Sequence, residues 1–240
     1  MRLRAPSLRF LRWPARALLF GAFLLSSYAL TAYVLLPASW RLQHVPFAGT
    51  PLARVTYTAE GIPSDPLNVA FVASRERVLA AMRAAGWHQA DPITFRSGLR
   101  DAHSVLLNRP YPTAPMSTQY VWNRPQDLAF EQSVGRSPRR RHHVRLWRVR
   151  SDSTGETLWV GAATYDMYVG ISHFTGEVRH HIDPDVDAER DKLVADLART
   201  GRLASVRRVD GFRPAGPGQN GAGDTYRTDG RLLIATLSAR

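Results

Sequence analysis

The run HHIDPDVDAERD, His180 to Asp191, gathers two histidines, four aspartates, a glutamate and an arginine around one proline. Imidazole titrating near neutral pH and hard carboxylates suit acid–base work or metal ligation, so the stretch could be a metal site or the acidic start of a helix. The aspartates have a structural explanation. Asp183 as N-cap with Pro184 at the first helical position is a strong start signal, and Asp185 and Asp187 then face the positive end of the helix dipole. A calcium loop does not fit: counting from Asp183, Ala188 stands where glycine is needed and Val194 where glutamate is needed.

Capping leaves the histidines unexplained. His142 and His143 open a strand after three arginines, His173 ends the next long strand, and His180 and His181 precede the helix. Neighbours on an extended segment point to opposite faces, so at most one of each pair enters a common site. His143, His173 and His181, with Asp183 or Asp166 as the carboxylate, would be the ligands or acid–base groups of a phosphoester hydrolase. Their spacing matches no short metal motif, and a lone histidine is more often a hydrogen-bonded structural group, so metal and cofactor stay unspecified. Arg140, Arg141 and Arg145 in RRRHHVRLWRVR supply guanidinium forks that suit phosphate or carboxylate. The competing reading for them is pairing with the acids of the helix entrance, or plain solvation. GPGQNG, Gly216 to Gly221, fits a dinucleotide fingerprint by letters only, because it holds a proline and no helix follows. Ser172 in GISHF lacks the second glycine and the helix of a nucleophile elbow.

The elements that must position these groups read as an α+β domain. Arg54–Thr58 and Leu67–Ser74 are expected strands. A helix capped by Ser74 and closed at Gly86 follows, then a second over about Arg96–Asn108. Proline-punctuated sequence carries short extended pieces at Tyr120–Trp122 and Asp127–Glu131. Strands are expected at His142–Val149 and Thr157–Ser172, separated by the turn-rich SDSTGE. In the second of these, Trp159, Ala163, Tyr165, Met167, Val169 and Ile171 share one face, with Asp166 and Tyr168 on the other. The helix after Asp183 runs to Gly201, and strands at Ser205–Phe212 and Leu232–Leu237 close the chain. Strands joined by hairpins predominate, so the sheet is expected to be mainly antiparallel with two or three helices, and no internal repeat is visible.

The compartment is set by the first forty residues. Ala17 to Leu36 is a run of twenty residues without a charge, roughly 30 Å as a helix, which matches one crossing of a bilayer. Arg2, Arg4, Arg9, Arg12 and Arg16 precede it with no acid among them. The positive-inside tendency then leaves 1–16 as a cytoplasmic tail and 17–36 as an anchor, with 37–53 a linker and 54–240 the exported domain. A cleaved signal would export the same domain, and a core helix is rarely apolar all round beside a pure arginine flank. In a bacterium the location is the inner membrane with the domain periplasmic. Five of the formal +12 charges lie in that tail, leaving a less basic remainder, and nucleic acid is not expected beyond the membrane. Cysteine is absent, which removes disulfides, thiolate nucleophiles and cysteine-ligated zinc.

Several phrases in one order, DPLNVAFVAS, LLNRPYPTAP, NRPQDLAFEQSVGRSPRRRHHVRLW, WVGAATYD and HHIDPDVDAERDKLVADL, resemble the C-terminal domain of LssY, a bacterial envelope family named from a type I secretion locus. The resemblance spans about Asp65 to Arg208. It implies an exported or membrane-associated domain and carries no catalytic residue across. Related domains also occur joined to multi-pass segments of the DedA and lipid-phosphate-phosphatase types, which do not occur in these 240 residues. The first expectation is engagement of an anionic, phosphate-bearing envelope ligand such as a membrane lipid. The alternatives are a metal- or histidine-dependent phosphoester hydrolase, and a non-catalytic membrane-protein partner of a secretion or transport complex, with RPYPTAP and RPQDLAF as contact loops.

Overall fold

A computed structural model describes residues 12–43, 53–135, 137–151 and 156–238. The expected tail at 1–16 lies largely outside the described residues, as do most of the linker and the tip of the SDSTGE turn.

The apolar stretch is helical throughout. α1 (Arg12–Leu30), a π-helical turn (Thr31–Leu35) and α2 (Leu36–Gln43) follow without a break, and Ala15–Leu42 is a 28-residue helix long and apolar enough to cross a membrane. The chain therefore stays helical beyond the expected linker start at residue 37. Pro37 lacks an N–H and crowds the carbonyl one turn back; the widened turn, closed by the Leu36 N–H on the Thr31 carbonyl, lets the helix continue past it.

The domain is built on β1 (Val55–Tyr57), β2 (Pro63–Pro66), β3 (Val69–Val72), α3 (Arg75–Ala84), β4 (His88–Gln89), α4 (Phe95–Leu107), β5 (Tyr120–Val121), β6 (Arg124–Pro125) and β7 (Leu128–Val134). It continues with β8 (Ser137–Ser151), β9 (Thr157–Ile171), β10 (Val178–Ile182), α5 (Val186–Arg199), β11 (Leu203–Val209), β12 (Gly216–Gln219), β13 (Thr225–Thr228) and β14 (Leu232–Leu237). The eight-stranded sheet runs β11-β14-β3-β9-β8-β7-β4, with β10 added to β9. Among the described strands, β14 and β3 are the one pair that runs parallel; the α+β, mainly antiparallel architecture is as expected. A smaller sheet, β2-β1-β5-β6, and the β12–β13 hairpin complete it.

Period-two alternation sorts the central strands. Val144 and Leu146 of β8 with Trp159 and Ala163 of β9 join Phe71, Phe130, Val78, Met82, Leu193 and Leu197 in the main core, beneath α3 and α5. On the other face Trp147, Val160 and Ala162 pack with Leu67 and Val121 of the small-sheet side. The end of α3 shows why its sequence stops there. Gly86, at φ +78°, takes the left-handed position, and the Gly86 and Trp87 amides bond the Arg83 and Met82 carbonyls at 3.0 and 2.9 Å. Trp87 then closes the core.

β3 and β10 lie along the same edge of β9, leaving a gap between them. Buried Asn68 fills it. Its amide donates to the Ala163 and Val186 carbonyls at 2.9 and 3.0 Å, and its oxygen accepts the Ala163 N–H at 2.9 Å. α5 starts two residues later than the Asp183–Pro184 signal predicts: Asp185 is the cap, accepting from the Ala188 N–H. Asp183 and Pro184 are held outside the helix by backbone bonds, the Asp183 N–H to the Tyr165 carbonyl and the Arg227 N–H to the Pro184 carbonyl. β9 also departs from simple alternation. Ile182 pairs with Asp166 but His181 with Tyr168, so Met167 is an extra residue and Asp166 and Tyr168 no longer share a face.

Candidate functional site

The face of β8 opposite the main core carries Arg141, His143 and Arg145, alternating with His142, Val144 and Leu146. Cross-strand register sets Arg141 opposite Asp166 and His143 opposite Thr164 on β9, and Glu131 of β7 opposite His143. This face is polar and buried: Glu131, Arg141, His143, Arg145, Thr164 and Asp166 are all shielded from solvent. Around it lies a cavity of about 210 Å³. Its walls include Asp65 of β2, Asp101 of α4, Ser117 and Gln119 before β5, and Val178, Arg179 and His180 of β10.

Glu131, Arg141, His143, Arg145 and Asp166 are each hydrogen-bonded. Arg141 donates through Nε to Asp166 at 3.0 Å and through Nη1 to Glu131 at 2.9 Å, which leaves Nη2 for a guest. The other Glu131 oxygen accepts the Ala114 N–H at 2.6 Å. Arg145 meets Asp65 at 3.1 Å and Ser117 through its carbonyl and hydroxyl. His143 Nε2 lies 2.8 Å from Asp166 Oδ1 and its Nδ1 3.3 Å from Arg145 Nη1. An Arg145 donor on Nδ1 makes that atom an acceptor and places the ring proton on Nε2, towards Asp166.

Burial and charge compete here, with different winners. Burial pushes the Glu131 carboxyl up, and the Arg141 guanidinium and Ala114 amide only partly oppose it, leaving the group at about 7. Burial acts the same way on Asp166, but the charges of His143, His180 and Arg141 and the His143 hydrogen bond outweigh it, and the carboxyl lies below the usual carboxylate range. Burial lowers His180 to about 4 against the pull of Asp166, so its ring is neutral at physiological pH. His180 Nε2 is buried and has no hydrogen-bond partner among the described residues. Asp101 Oδ1 is likewise unpartnered, and burial raises its carboxyl despite Arg141 nearby.

The residues singled out from sequence separate in space. Arg141, Arg145 and His143 line the cavity. Arg140, one step out of phase, is exposed and not part of the cavity wall. His142 turns to the helix side, 2.6 Å from Glu189 of α5. His181 bonds Asp224 at 2.5 Å, stacks on Tyr168 and lies beside His173, whose ring centroid is 5.8 Å away. That pair lies outside the cavity wall, where His180 stands instead. Asp183 is spent on the Asp185 N–H at 2.8 Å. The acids that follow it hold Arg190, through Asp187 and Asp191. In RPYPTAP and RPQDLAF the larger side chains Tyr111, Leu128 and Phe130 are buried. Sequence reasoning missed Glu131, Asp65, Asp101 and His180. Parity along β8 could have excluded Arg140; nothing local marks the three acids and the imidazole that converge from separate elements.

Among the described residues, no group of three or more histidine, aspartate and glutamate side chains is arranged to hold a metal ion. Fold and site together define an α+β domain with a buried arginine- and histidine-lined cavity, attached to a helix able to cross a membrane. The LssY C-terminus family matches residues 49–232 of this chain, which belongs to that family. No curated protein and no solved structure matches it.

Proposed function

We propose that this is a single-pass inner-membrane protein of a bacterium, its N-terminus cytoplasmic, whose periplasmic domain takes the anionic, phosphate-bearing headgroup of an envelope lipid into the cavity. The observation that carries the reading is Arg141. Two of its nitrogens are fixed by Asp166 and Glu131, which leaves the third for a guest in a cavity whose wall also holds His180, with its unpartnered Nε2. A preorganised guanidinium binds an oxyanion with little ordering cost. The volume also fits. About 210 Å³ is room for roughly seven waters at ~30 Å³ each, enough for a phosphate group but below the ~300–1,000 Å³ typical of pockets that take whole drug-sized ligands. The headgroup enters and the chains stay outside. The arginine-rich residues before the anchor support the orientation.

Calorimetry on the full chain in detergent, with inorganic phosphate and a short-chain phosphatidic acid as probes, tests this. Arg141→Gln should weaken binding by about tenfold to a hundredfold, the worth of one charged hydrogen bond. Arg140→Gln should leave it unchanged. Equal affinity in a folded Arg141→Gln and in Arg179→Gln, a second cationic wall residue, would remove the proposal.

A second reading shares the cavity. His143 on Asp166, with neutral His180 beside them, is an acid–base set suited to phosphoester hydrolysis. Phosphate release from the same lipid, lost in His180→Ala and His143→Ala with binding retained, would select it.

A further inference from the structure

α4 is built inside out. Its N-terminus is fixed by a capping box between Thr94 and Ser97 and its C-terminus by Asn108 in the left-handed conformation, so its rotation about its axis is well defined. The side facing the domain carries Ser97, Asp101 and Ser104, while Phe95 is 85% exposed, Leu99 56% and Leu106 77%. Positions 95, 99, 102 and 106 form one stripe along the helix, Ala102 being exposed as well. A second exposed stripe, Arg96, Arg100 and His103, runs directly beside it. Exposed Ile93 and Leu107 extend the apolar surface at both ends. A soluble helix would turn this stripe inward.

The β9–β10 hairpin supplies an independent observation. Its turn, Ser172–Glu177, packs on the anchor: the Tyr28 hydroxyl donates to the Gly176 carbonyl at 2.7 Å, and the Val178 N–H donates to the Tyr33 hydroxyl at 3.0 Å. Tyr28 precedes Leu36 by eight residues, roughly 12 Å back along the apolar helix. Much of the turn's polar complement is satisfied locally. Ser172 Oγ accepts the Phe174 and Thr175 amides, Thr175 donates to Glu177, and Glu177 pairs with Arg179. Internal satisfaction is what backbone near hydrocarbon requires. Tyr168, Ile171 and Val178 on the same hairpin are exposed apolar side chains. Hairpin and α4 also border one cavity, through Val178 and Asp101.

We propose that α4 lies in the interface of the membrane that the anchor crosses, with Phe95, Leu99 and Leu106 inserted among the acyl chains and Arg96 and His103 at the level of anionic headgroups. Basic amphipathic helices of this pattern bind in the interfacial plane. The hairpin fixes the depth of the domain, and α4 fixes its tilt. The insertion of α4 does not depend on what the cavity holds. Only its corollary does, that the cavity opens at headgroup depth, where the ligand proposed above resides.

The chain has no cysteine, so Phe95→Cys, Leu106→Cys and, on exposed β11, Arg207→Cys each create one site for a polarity-sensitive dye. The full chain is placed in vesicles of phosphatidylethanolamine and phosphatidylglycerol, with the emission of buried Trp87, Trp147 and Trp159 reporting the fold. Dye at 95 and 106 should emit blue-shifted and be quenched severalfold more by spin-labelled lipid than dye at 207. Water-like emission at all three positions would overturn the proposal. So would a blue shift that lipid quenchers do not reach and that grows with protein density, since the stripe would then be covered by a second copy of the chain.

Discussion

Glu131 should make the domain less stable as pH rises through neutrality. The residue is 0% exposed, and burial outweighs Arg141 and the Ala114 amide to hold its carboxyl at about 7, against 4.5 for the free side chain. A carboxyl whose folded pKa exceeds its unfolded value keeps its proton longer in the folded state. The stabilisation this gives is complete below pH 4.5 and is lost as pH rises through about 7. The difference corresponds to about 3 kcal/mol at ~1.4 kcal/mol per unit, a substantial part of the ~5–15 kcal/mol typical of a whole domain. Glu131→Gln keeps an acceptor for the Ala114 amide and removes the titration. Denaturation of the full chain in detergent, followed by core tryptophan emission, gives both stabilities from pH 4.5 to 8. Wild type minus variant should fall by about 3 kcal/mol across that range. A flat or rising difference would show that Arg141 keeps Glu131 ionised throughout, and the account of burial as the dominant influence would be refuted.

Protonated Glu131 also stops competing for Arg141, so phosphate should bind more tightly below pH 7 than above it, by the reciprocity of proton and ligand binding; calorimetry showing the same pH dependence in Glu131→Gln would contradict this. Asn68→Ala should cost about 2–4 kcal/mol, since it strands the Ala163 N–H and carbonyl in the sheet interior. A loss below 1 kcal/mol in denaturant titration, about the worth of one replaceable bond, would mean water takes its place. Tyr28→Phe with Tyr33→Phe should speed amide hydrogen exchange at Val178, whose N–H meets the Tyr33 hydroxyl, and leave Ala163 unaffected; equal protection at Val178 in both proteins would separate the hairpin from the anchor.

The fold was legible where one residue dictates one conformation. Ser74 and Gly86 bracket α3 as expected, and Leu232–Leu237 is a strand to the residue. Strands without a period-two signal were not readable: β12 is Gly-Pro-Gly-Gln, and β2 is Pro-Ser-Asp-Pro, held by pairing with β1 rather than by propensity. Asp183–Pro184 is a sound local start signal overridden by backbone bonds to Tyr165 and Arg227. At the site, phase along β8 was available in the sequence, since Arg141, His143 and Arg145 alternate and Arg140 breaks the alternation. Choosing between His180 and His181 was not. The extra residue at Met167 shifts the register, and a one-residue shift exchanges the two faces.

Two departures from ordinary globular design fall at one place. The face of β8 and β9 that carries the smaller apolar cluster around Trp147 and Ala162 also holds Arg141, His143, Arg145 and Asp166, where apolar side chains could have extended it. Buried ion pairs of this kind contribute little net stability compared with well-packed apolar side chains of similar volume. Separately, α4 turns serines inward and Phe95, Leu99 and Leu106 outward, giving up burial worth about 1.5–3 kcal/mol for each large side chain. Neither feature helps the chain fold, and neither causes the other, since the ion pairs follow from β-strand register and the apolar stripe from helical phase. Yet Asp101, on the inward face of α4, lines the same cavity as Arg141. An anion site that had to admit solutes from water would gain nothing from an apolar helix at its rim. One that had to admit a headgroup still attached to its acyl chains would need both.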